Sequence, residues 1–296
     1  MENRQVLALG FFDGVHLGHG ALLRSCRELA DKLGVKAGAV TFSVHPDALV
    51  AGKAPGLINT EEDRLRLMKT LYGMDSVTLL PFDRAMMQLP WQHFLKMLVS
   101  KYGAAGLVCG GDFRFGNRGE GNCERLQEFC REFGLPCEII PEQDLEGIRI
   151  SSTRIRELIE QGDMETAEKF LGHPHIFSGE VVPGRQLGRT IGIPTANLLL
   201  PEELAIPRLG VYACKALVDG REYLAVTNIG SRPTVHGHQV RAESWLLDFE
   251  GDLYGKWLTL TFYEFLRPEK KFSDLEELRR EILENAAKTR KLLGKR

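Results

Sequence analysis

Two histidines three residues apart, His16 and His19, close the segment Gly10-Phe11-Phe12-Asp13-Gly14-Val15-His16-Leu17-Gly18-His19. Imidazoles at this spacing can donate hydrogen bonds to phosphate oxygens as charge develops during group transfer, if something holds a phosphate beside them. The flanking sequence offers such a holder. Residues 5–10 form a short apolar run that reads as a buried strand, and Leu22, Cys26, Leu29 and Leu33 then recur at helical spacing. A helix that starts directly after a strand of an open parallel sheet turns free backbone N–H groups and its positive dipole end toward the crevice where ligands collect. Gly10, Gly14 and Gly18 let backbone and ligand approach closely, with Phe12 and Asp13 in the same loop. Surface or capping roles are the plainer readings of such a pair. Zinc is a weak one, because no third ligand stands nearby at matching spacing.

The elements that must position this loop follow a regular rhythm. Strand-like runs at 35–42, 77–80, 105–109 and 137–140 alternate with helical patterns, including one with Leu65, Met68 and Leu71 and one opened by Pro90. This alternation predicts crossover connections and a Rossmann-like α/β domain over residues 1–162. After Gly162 a short helix at 164–171 gives way to runs at 176–182, 211–218, 223–229, 242–249 and 258–265. Asp219-Gly220 predicts a tight hairpin. Ser273 with Glu276 predicts the start of a final helix, whose Leu275, Leu278 and Ile282 read as barrel-covering core. Residues 163–296 are therefore expected to form a small antiparallel β-barrel with a C-terminal helix.

Composition narrows the classes of function. Of the 296 residues 43% are hydrophobic and 26% charged, as in ordinary globular chains, and the formal net charge is -2. No basic stripe suits a nucleic-acid backbone, and no apolar run nears the roughly 18 residues of a membrane span. The cysteines at 26, 109, 123, 130, 137 and 214 form no C-x-x-C pair. They read as reduced core residues, which fits a cytoplasmic protein. The sequence carries no signal of oligomeric state.

In the second half, Gly184-Arg185-Gln186-Leu187-Gly188-Arg189 is a glycine-punctuated basic loop, followed by Gly192-Ile193-Pro194-Thr195-Ala196-Asn197. Neither is a Walker motif. Thr195 and Asn197 offer neutral oxygens on one side of an extended segment, which suits Mg²⁺ held jointly with phosphates, although Pro-Thr-Ala-Asn alone reads as a turn. Ser152, Thr153 and Arg156 can hold a leaving pyrophosphate near a helix start, or Ser151 or Ser152 can simply cap that helix.

Taken together these segments resemble the prokaryotic bifunctional riboflavin kinase/FAD synthetases. The resemblance spans the chain. Phe11-Phe12-Asp13-Gly14-Val15-His16-Leu17-Gly18-His19 is followed in family order by Thr41-Phe42-Ser43-Val44-His45-Pro46, Gly110-Gly111-Asp112-Phe113-Arg114-Phe115-Gly116 and Ile150-Ser151-Ser152-Thr153-Arg154-Ile155-Arg156. In the second half come Pro194-Thr195-Ala196-Asn197, Asn228-Ile229-Gly230-Ser231-Arg232-Pro233-Thr234, Glu243-Ser244-Trp245 and Leu266-Arg267-Pro268-Glu269. The resemblance implies two activities, phosphorylation of riboflavin to FMN and adenylylation of FMN to FAD, each with ATP and Mg²⁺. It implies His16 and His19 as catalytic in the first half and Glu243 as general base in the second. Nucleotide contacts are implied for Gly10, Phe12, Asp13, Gly14, Gly18, Asp112, Ser152, Thr153, Arg156, Gly184, Gly188 and Arg189. Flavin contacts are implied for His45, Asn228 and Arg267, and metal contacts for Thr195 and Asn197. The chain departs from the family pattern at Phe11, where asparagine is frequent, at Ser43 and Gly111, where acidic residues are usual, and at Trp245, where histidine is usual.

Overall fold

A computed structural model describes residues 4–50, 54–184, 188, 191–234 and 237–294. The chain divides into two compact units: Met1–Pro55 with Glu61–Ser152, and Gly56–Thr60 with Thr153–Arg296.

The first unit is built on five parallel strands, β1 (Gln5–Leu9), β2 (Lys36–Phe42), β3 (Ser76–Leu80), β4 (Ala104–Gly110) and β5 (Cys137–Ile140), in the order β3-β2-β1-β4-β5. Helices α1 (Leu17–Leu33), α2 (Pro46–Val50), α3 (Glu61–Tyr72), α4 (Arg84–Met87), α5 (Trp91–Ser100) and α6 (Cys123–Glu132) connect them. β1 and β4 are buried almost end to end, as strands covered on both faces must be. β1 lies between β2 and β4, so the order in which strands are added reverses at the β1/β4 gap. A crevice opens beyond the strand ends at such a switch point. A two-stranded hairpin, β6 (Asp144–Leu145) and β7 (Ile148–Arg149), follows the sheet. It was not foreseen, because each strand is two residues long. On α3 the buried face is Asp63, Arg64, Leu67 and Met68, while Leu71 is 47% exposed. The expected stripe of Leu65, Met68 and Leu71 is thus rotated by about one position.

The second unit begins with α7 (Ser152–Gln161) and α8 (Met164–Leu171) and continues as a six-stranded antiparallel sheet. Its strands are β8 (His175–Glu180), β9 (Ala196–Leu199), β10 (Gly210–Val218), β11 (Arg221–Thr234), β12 (Gly237–Leu246) and β13 (Trp257–Arg267). Their order is β8-β13-β10-β11-β12-β9. Beyond β8, Val182 N donates to Asn197 O on β9 at 2.9 Å, which brings the two sheet edges together and closes the curl into a small barrel. Asp219 and Gly220 form the foreseen hairpin, with Val218 paired to Arg221 and both turn residues at positive φ (48° and 75°). The segment Gly56–Thr60 belongs to this unit. Leu57 bridges to Leu204, its N–H donates to Glu203 O at 2.7 Å, and the buried Asn59 side chain donates to Ile176 O at 3.4 Å.

Helix α9 (Leu275–Leu293) packs on β10 and β11. Its N-cap is Asp274, whose carboxylate accepts from Glu277 N at 2.8 Å, and Glu277 accepts in turn from Ser273 N at 2.9 Å. The cap therefore sits one residue later than Ser273 with Glu276. The expected stripe also changes character. Leu275 is 46% exposed, and the buried positions are Asn285, Ala286, Thr289 and Leu293.

Candidate active sites

In the first unit the chain leaves β1 at Gly10 and turns sharply through Phe12 (φ 59°), Gly14 (φ 83°) and Val15 (φ 44°). A β-branched residue in the left-handed region is a strained conformation, costing on the order of 1–3 kcal/mol, and it persists only where the surroundings fix it. Here they do. Phe12, Asp13, Gly14 and Val15 are all buried, and Ser152 Oγ donates to Asp13 O at 2.9 Å. Thr41 Oγ1 and Arg64 Nη1 both donate to Phe11 O, at 2.8 and 2.9 Å, while Arg64 Nη2 donates to Phe42 O at 2.8 Å. The Arg64 guanidinium, 2% exposed, also lies 4.2 Å from the Phe11 ring centre. One arginine thus fastens the loop to the end of β2.

The turn delivers His16 to the N-cap of α1, where its Nδ1 accepts from His19 N at 3.2 Å. That bond fixes the tautomer. With Nδ1 an acceptor, the proton of the neutral ring is on Nε2. The two imidazoles are stacked, with ring centres 3.6 Å apart and planes 13° from parallel. Burial, assisted by His16 and Arg64, holds the His19 pKa well below the ordinary histidine value, so this ring is neutral at physiological pH. A Cβ on Gly18 would stand 3.1 Å from His16 Cε1, tighter than ordinary contact, so glycine keeps the capping ring in place. At this end of α1 the N–H groups of Leu17 and Gly18 have no acceptor within the helix.

These groups border a cavity of about 500 Å³ at the carboxyl ends of the parallel strands, marked by Leu9, Phe42, Gly110 and Ile140. Of the residues expected from sequence, Gly10, His16, Gly18, His19, His45, Asp112 and Ser152 line it. Phe12, Asp13 and Gly14 do not line it; they are buried and shape the loop beneath. Thr153 is exposed on α7, with Arg156 Nη1 3.5 Å from its hydroxyl, and both belong to the second unit. His45 packs edge-on against Phe11 at 4.7 Å. Asp112 and Glu142 both pair with Arg149 at the rim. Arg64 and Arg149 were not anticipated. Arg64 had a readable signal: it shares its helix face with Leu67 and Met68 at i+3 and i+4, a charge on an apolar stripe.

The second unit places its chemistry by strand register. Glu243 on β12 is directly opposite Asn197 on β9 and Asn228 on β11. Residues on one rung project to the same face at the interstrand spacing of about 4.8 Å, so a carboxylate stands between two amides. Asn197 is 5% exposed, and its Nδ2 donates to Thr195 O at 3.4 Å. A Cβ on Gly184 would overlap that amide, so the backbone at this position can lie against Asn197 only without a side chain.

Thr195, Asn197, Asn228, Glu243, Arg267 and Gly188 all line one cavity of about 270 Å³, with Val211, Val226, Trp245, Leu278, Ile282 and Asn285 among its remaining walls. Asn197 and Asn228 flank Glu243 on one rung, and Val226 stands opposite Trp245. Arg267 pairs with Glu281 of α9 at 3.2 Å and lies over the Phe272 ring. Lys270, also on the wall, pairs with Glu277 and Glu281 at 3.2 Å. A second cavity of about 340 Å³, with Phe249, Asp252 and Tyr254 among its walls, meets the first at Thr195. Arg189 lies outside the described residues. β9 carries no strand periodicity in its four residues Ala196–Leu199, so the sequence shows only an extended segment or turn there. Leu278 and Ile282 line the cavity, which the stripe reading did not foresee.

Comparison with known proteins gives a consistent picture. A family model described as FAD synthetase matches residues 1–154, and one described as riboflavin kinase matches residues 171–293. A bifunctional riboflavin kinase/FMN adenylyltransferase of Listeria monocytogenes is 34% identical over 294 residues, covering 98% of this chain and 93% of the relative. The protein of that description from Escherichia coli K12 is 38% identical over 292 residues, covering 98% and 93%. A crystal structure from Streptococcus pneumoniae, described as a macrolide-efflux protein, is 30% identical with a TM-score of 0.85, covering 98% of this chain and 95% of that one. Among the described residues, no helix of this chain is long and apolar enough to cross a membrane.

Proposed function

This chain belongs to the bifunctional riboflavin kinase/FMN adenylyltransferase family, and from that premise we propose how its two sites divide the chemistry. The enzyme converts riboflavin to FMN and FMN to FAD. The observation that carries the division is the rung Asn197–Glu243–Asn228 beside an apolar cavity in one unit, with the stacked, capped His16–His19 pair at the strand ends of the other.

In the second unit, riboflavin lies with its ring against Trp245, Leu278 and Ile282 and its ribityl chain toward Glu243. The carboxylate accepts the proton of the terminal hydroxyl as that oxygen bonds to the γ-phosphorus of ATP and ADP departs. ATP enters from the adjoining cavity, so the γ-phosphoryl group meets the acceptor at Thr195, which lines both. The Thr195 hydroxyl and Asn197 Oδ1 are hard neutral oxygens beside a carboxylate. That donor set fits Mg²⁺ shared with phosphate oxygens, and the ion would supply charge neutralisation. Gly184 and Gly188 lie beside the nucleotide, while Asn228 and Arg267 contact the flavin.

In the first unit, a phosphate oxygen of FMN attacks the α-phosphorus of a second ATP and pyrophosphate leaves. No proton need move. The protein's part is to align the two phosphates and stabilise the extra negative charge. His16 Nε2–H, neutral His19 and the free amides at the α1 N-terminus are aimed at that charge. Gly10 and Gly18 admit the nucleotide, with Phe12, Asp13 and Gly14 shaping the loop. Asp112 and Ser152 complete the nucleotide contacts on this unit, and His45 contacts the flavin phosphate. The six free thiols suit a cytoplasmic location.

The test separates flavins chromatographically after incubation with riboflavin, ATP and Mg²⁺. Wild-type protein forms FMN and then FAD. Glu243→Gln lowers FMN formation by about 10²–10⁴-fold, the usual contribution of a general base, yet still adenylylates added FMN. His19→Ala does the reverse. Loss of both activities in each folded variant would refute the division.

A further inference from the structure

Asn285 on α9 is 1% exposed, and neither Nδ2 nor Oδ1 has a hydrogen-bond partner among the described residues. An amide buried in that condition is costly and rare. It is also not in neutral surroundings, because Asn285 lines the cavity that holds Glu243. Its place on the helix explains the orientation. Leu278, Ile282 and Asn285 follow at i, i+4 and i+7, so the amide continues the wall that the two aliphatic side chains begin. Its neighbour Ala286 packs into a cluster with Val211, Val226 and Leu247, which fixes the helix against the barrel.

Position along the cavity decides what the amide can meet. Glu243 and Trp245 are two residues apart on β12 and point to one face, so the indole is about 6.6 Å further along the strand than the carboxylate. Val226, opposite Trp245, extends the apolar stretch, while Val211 stands on the rung of Glu243 and Asn228. A ligand that reaches Glu243 with a hydroxylated chain therefore lays a flat apolar body against Trp245, with its far edge toward α9. A carboxamide offers one donor and one acceptor side by side. Its complement is a ring edge carrying a carbonyl next to an N–H, the imide edge of a flavin.

We propose that Asn285 is the residue that reads the imide edge of riboflavin, with Nδ2 donating to a ring carbonyl and Oδ1 accepting from the ring N–H. This rests on the kinase reading of the cavity. It makes Asn285 a specificity-determining residue remote from the phosphoryl transfer.

The experiment measures quenching of flavin fluorescence on binding to the full chain, with riboflavin and its N3-methyl derivative as probes. Wild-type protein is expected to bind the methylated flavin about tenfold more weakly than riboflavin, the equivalent of one hydrogen bond lost. Asn285→Leu, close in volume, is expected to bind riboflavin about tenfold more weakly and to distinguish the two flavins little, with KM raised and kcat nearly unchanged. The wild-type ratio needs no variant, so a ratio near one overturns the proposal even if Asn285→Leu does not fold. Equal discrimination by wild type and variant overturns it as well. Riboflavin turned over by wild type without discrimination at N3 removes the Asn285 assignment alone. No phosphorylation of riboflavin at all removes the kinase reading with it.

Discussion

Replacing Arg64 by methionine tests whether a buried guanidinium is what holds the catalytic loop of the first unit. Arg64 donates at 2.9 Å to Phe11 O and at 2.8 Å to Phe42 O, and its charge also faces the buried Asp13. Methionine fills much of the volume but supplies neither donor. The Phe11 carbonyl keeps Thr41 Oγ1, whereas the Phe42 carbonyl loses the arginine and Asp13 loses its countercharge. Two hydrogen bonds from a charged donor contribute about 1.5–3 kcal/mol each, and removing one partner of a buried charged pair costs about 3–5 kcal/mol. A net loss of about 3–4 kcal/mol follows once the apolar packing of methionine is returned. The strained turn at Phe12 and Val15 has then lost its main tether, so His16 no longer reaches the N-cap. Denaturant unfolding measures the stability change, and flavin chromatography shows FAD formation lost with riboflavin phosphorylation retained. Arg64→Lys should fail nearly as badly, since one ammonium cannot span two carbonyls as the planar fork does. A folded Arg64→Met protein within about 0.5 kcal/mol of wild type, still making FAD at the normal rate, would refute the reasoning.

Other perturbations reach different parts of the molecule. Gly184→Ala drives a methyl group into the Asn197 amide, so riboflavin phosphorylation should fall at least tenfold while added FMN is still adenylylated; kinetics on both substrates decides it. His16→Ala removes the cap of α1, with an expected loss of about 1 kcal/mol in unfolding experiments and of FAD formation in assays. His175 is pushed down to about 3 by burial, helped by His173, whereas the unfolded chain takes up this proton near pH 6.5. Its contribution is complete above pH 6.5 and is lost as pH falls toward 3, at up to about 1.4 kcal/mol per pH unit. His175→Phe should flatten that acid limb, and parallel stability–pH curves for the two proteins would contradict the assignment.

Much of this architecture is legible from the chain because strand, loop and helix patterns agree with one another. The parallel sheet announces itself in apolar runs between helical stripes, and the histidine loop in its place directly after the first run. What escaped is what tertiary contact decides. The i+3/i+4 face of α3 carries Arg64 inward because two carbonyls at the strand ends need donors, and nothing local states that need. β9 exists because β12 offers it an edge, so its Asn197 joins Glu243 through pairing rather than through sequence proximity. The stripe on α9 was legible as apolar, but whether it covers core or ligand depends on the barrel beneath. The tandem of polar positions that continues it, Asn285 and Thr289, was the available hint.

The five residues Gly56–Thr60 have a consequence for the connectivity of the gene. The chain leaves the first unit after Pro55, lends Leu57 and Asn59 to the second, and returns at Glu61 before crossing for good after Ser152. The two units are therefore not beads on a string separable by one cut. A fragment that starts at Thr153 would expose the backbone of Glu203 and Ala205 that Leu57 covers, and would strip Ile176 O of its donor. A self-sufficient half is better made by grafting these five residues onto it than by shifting the point of scission.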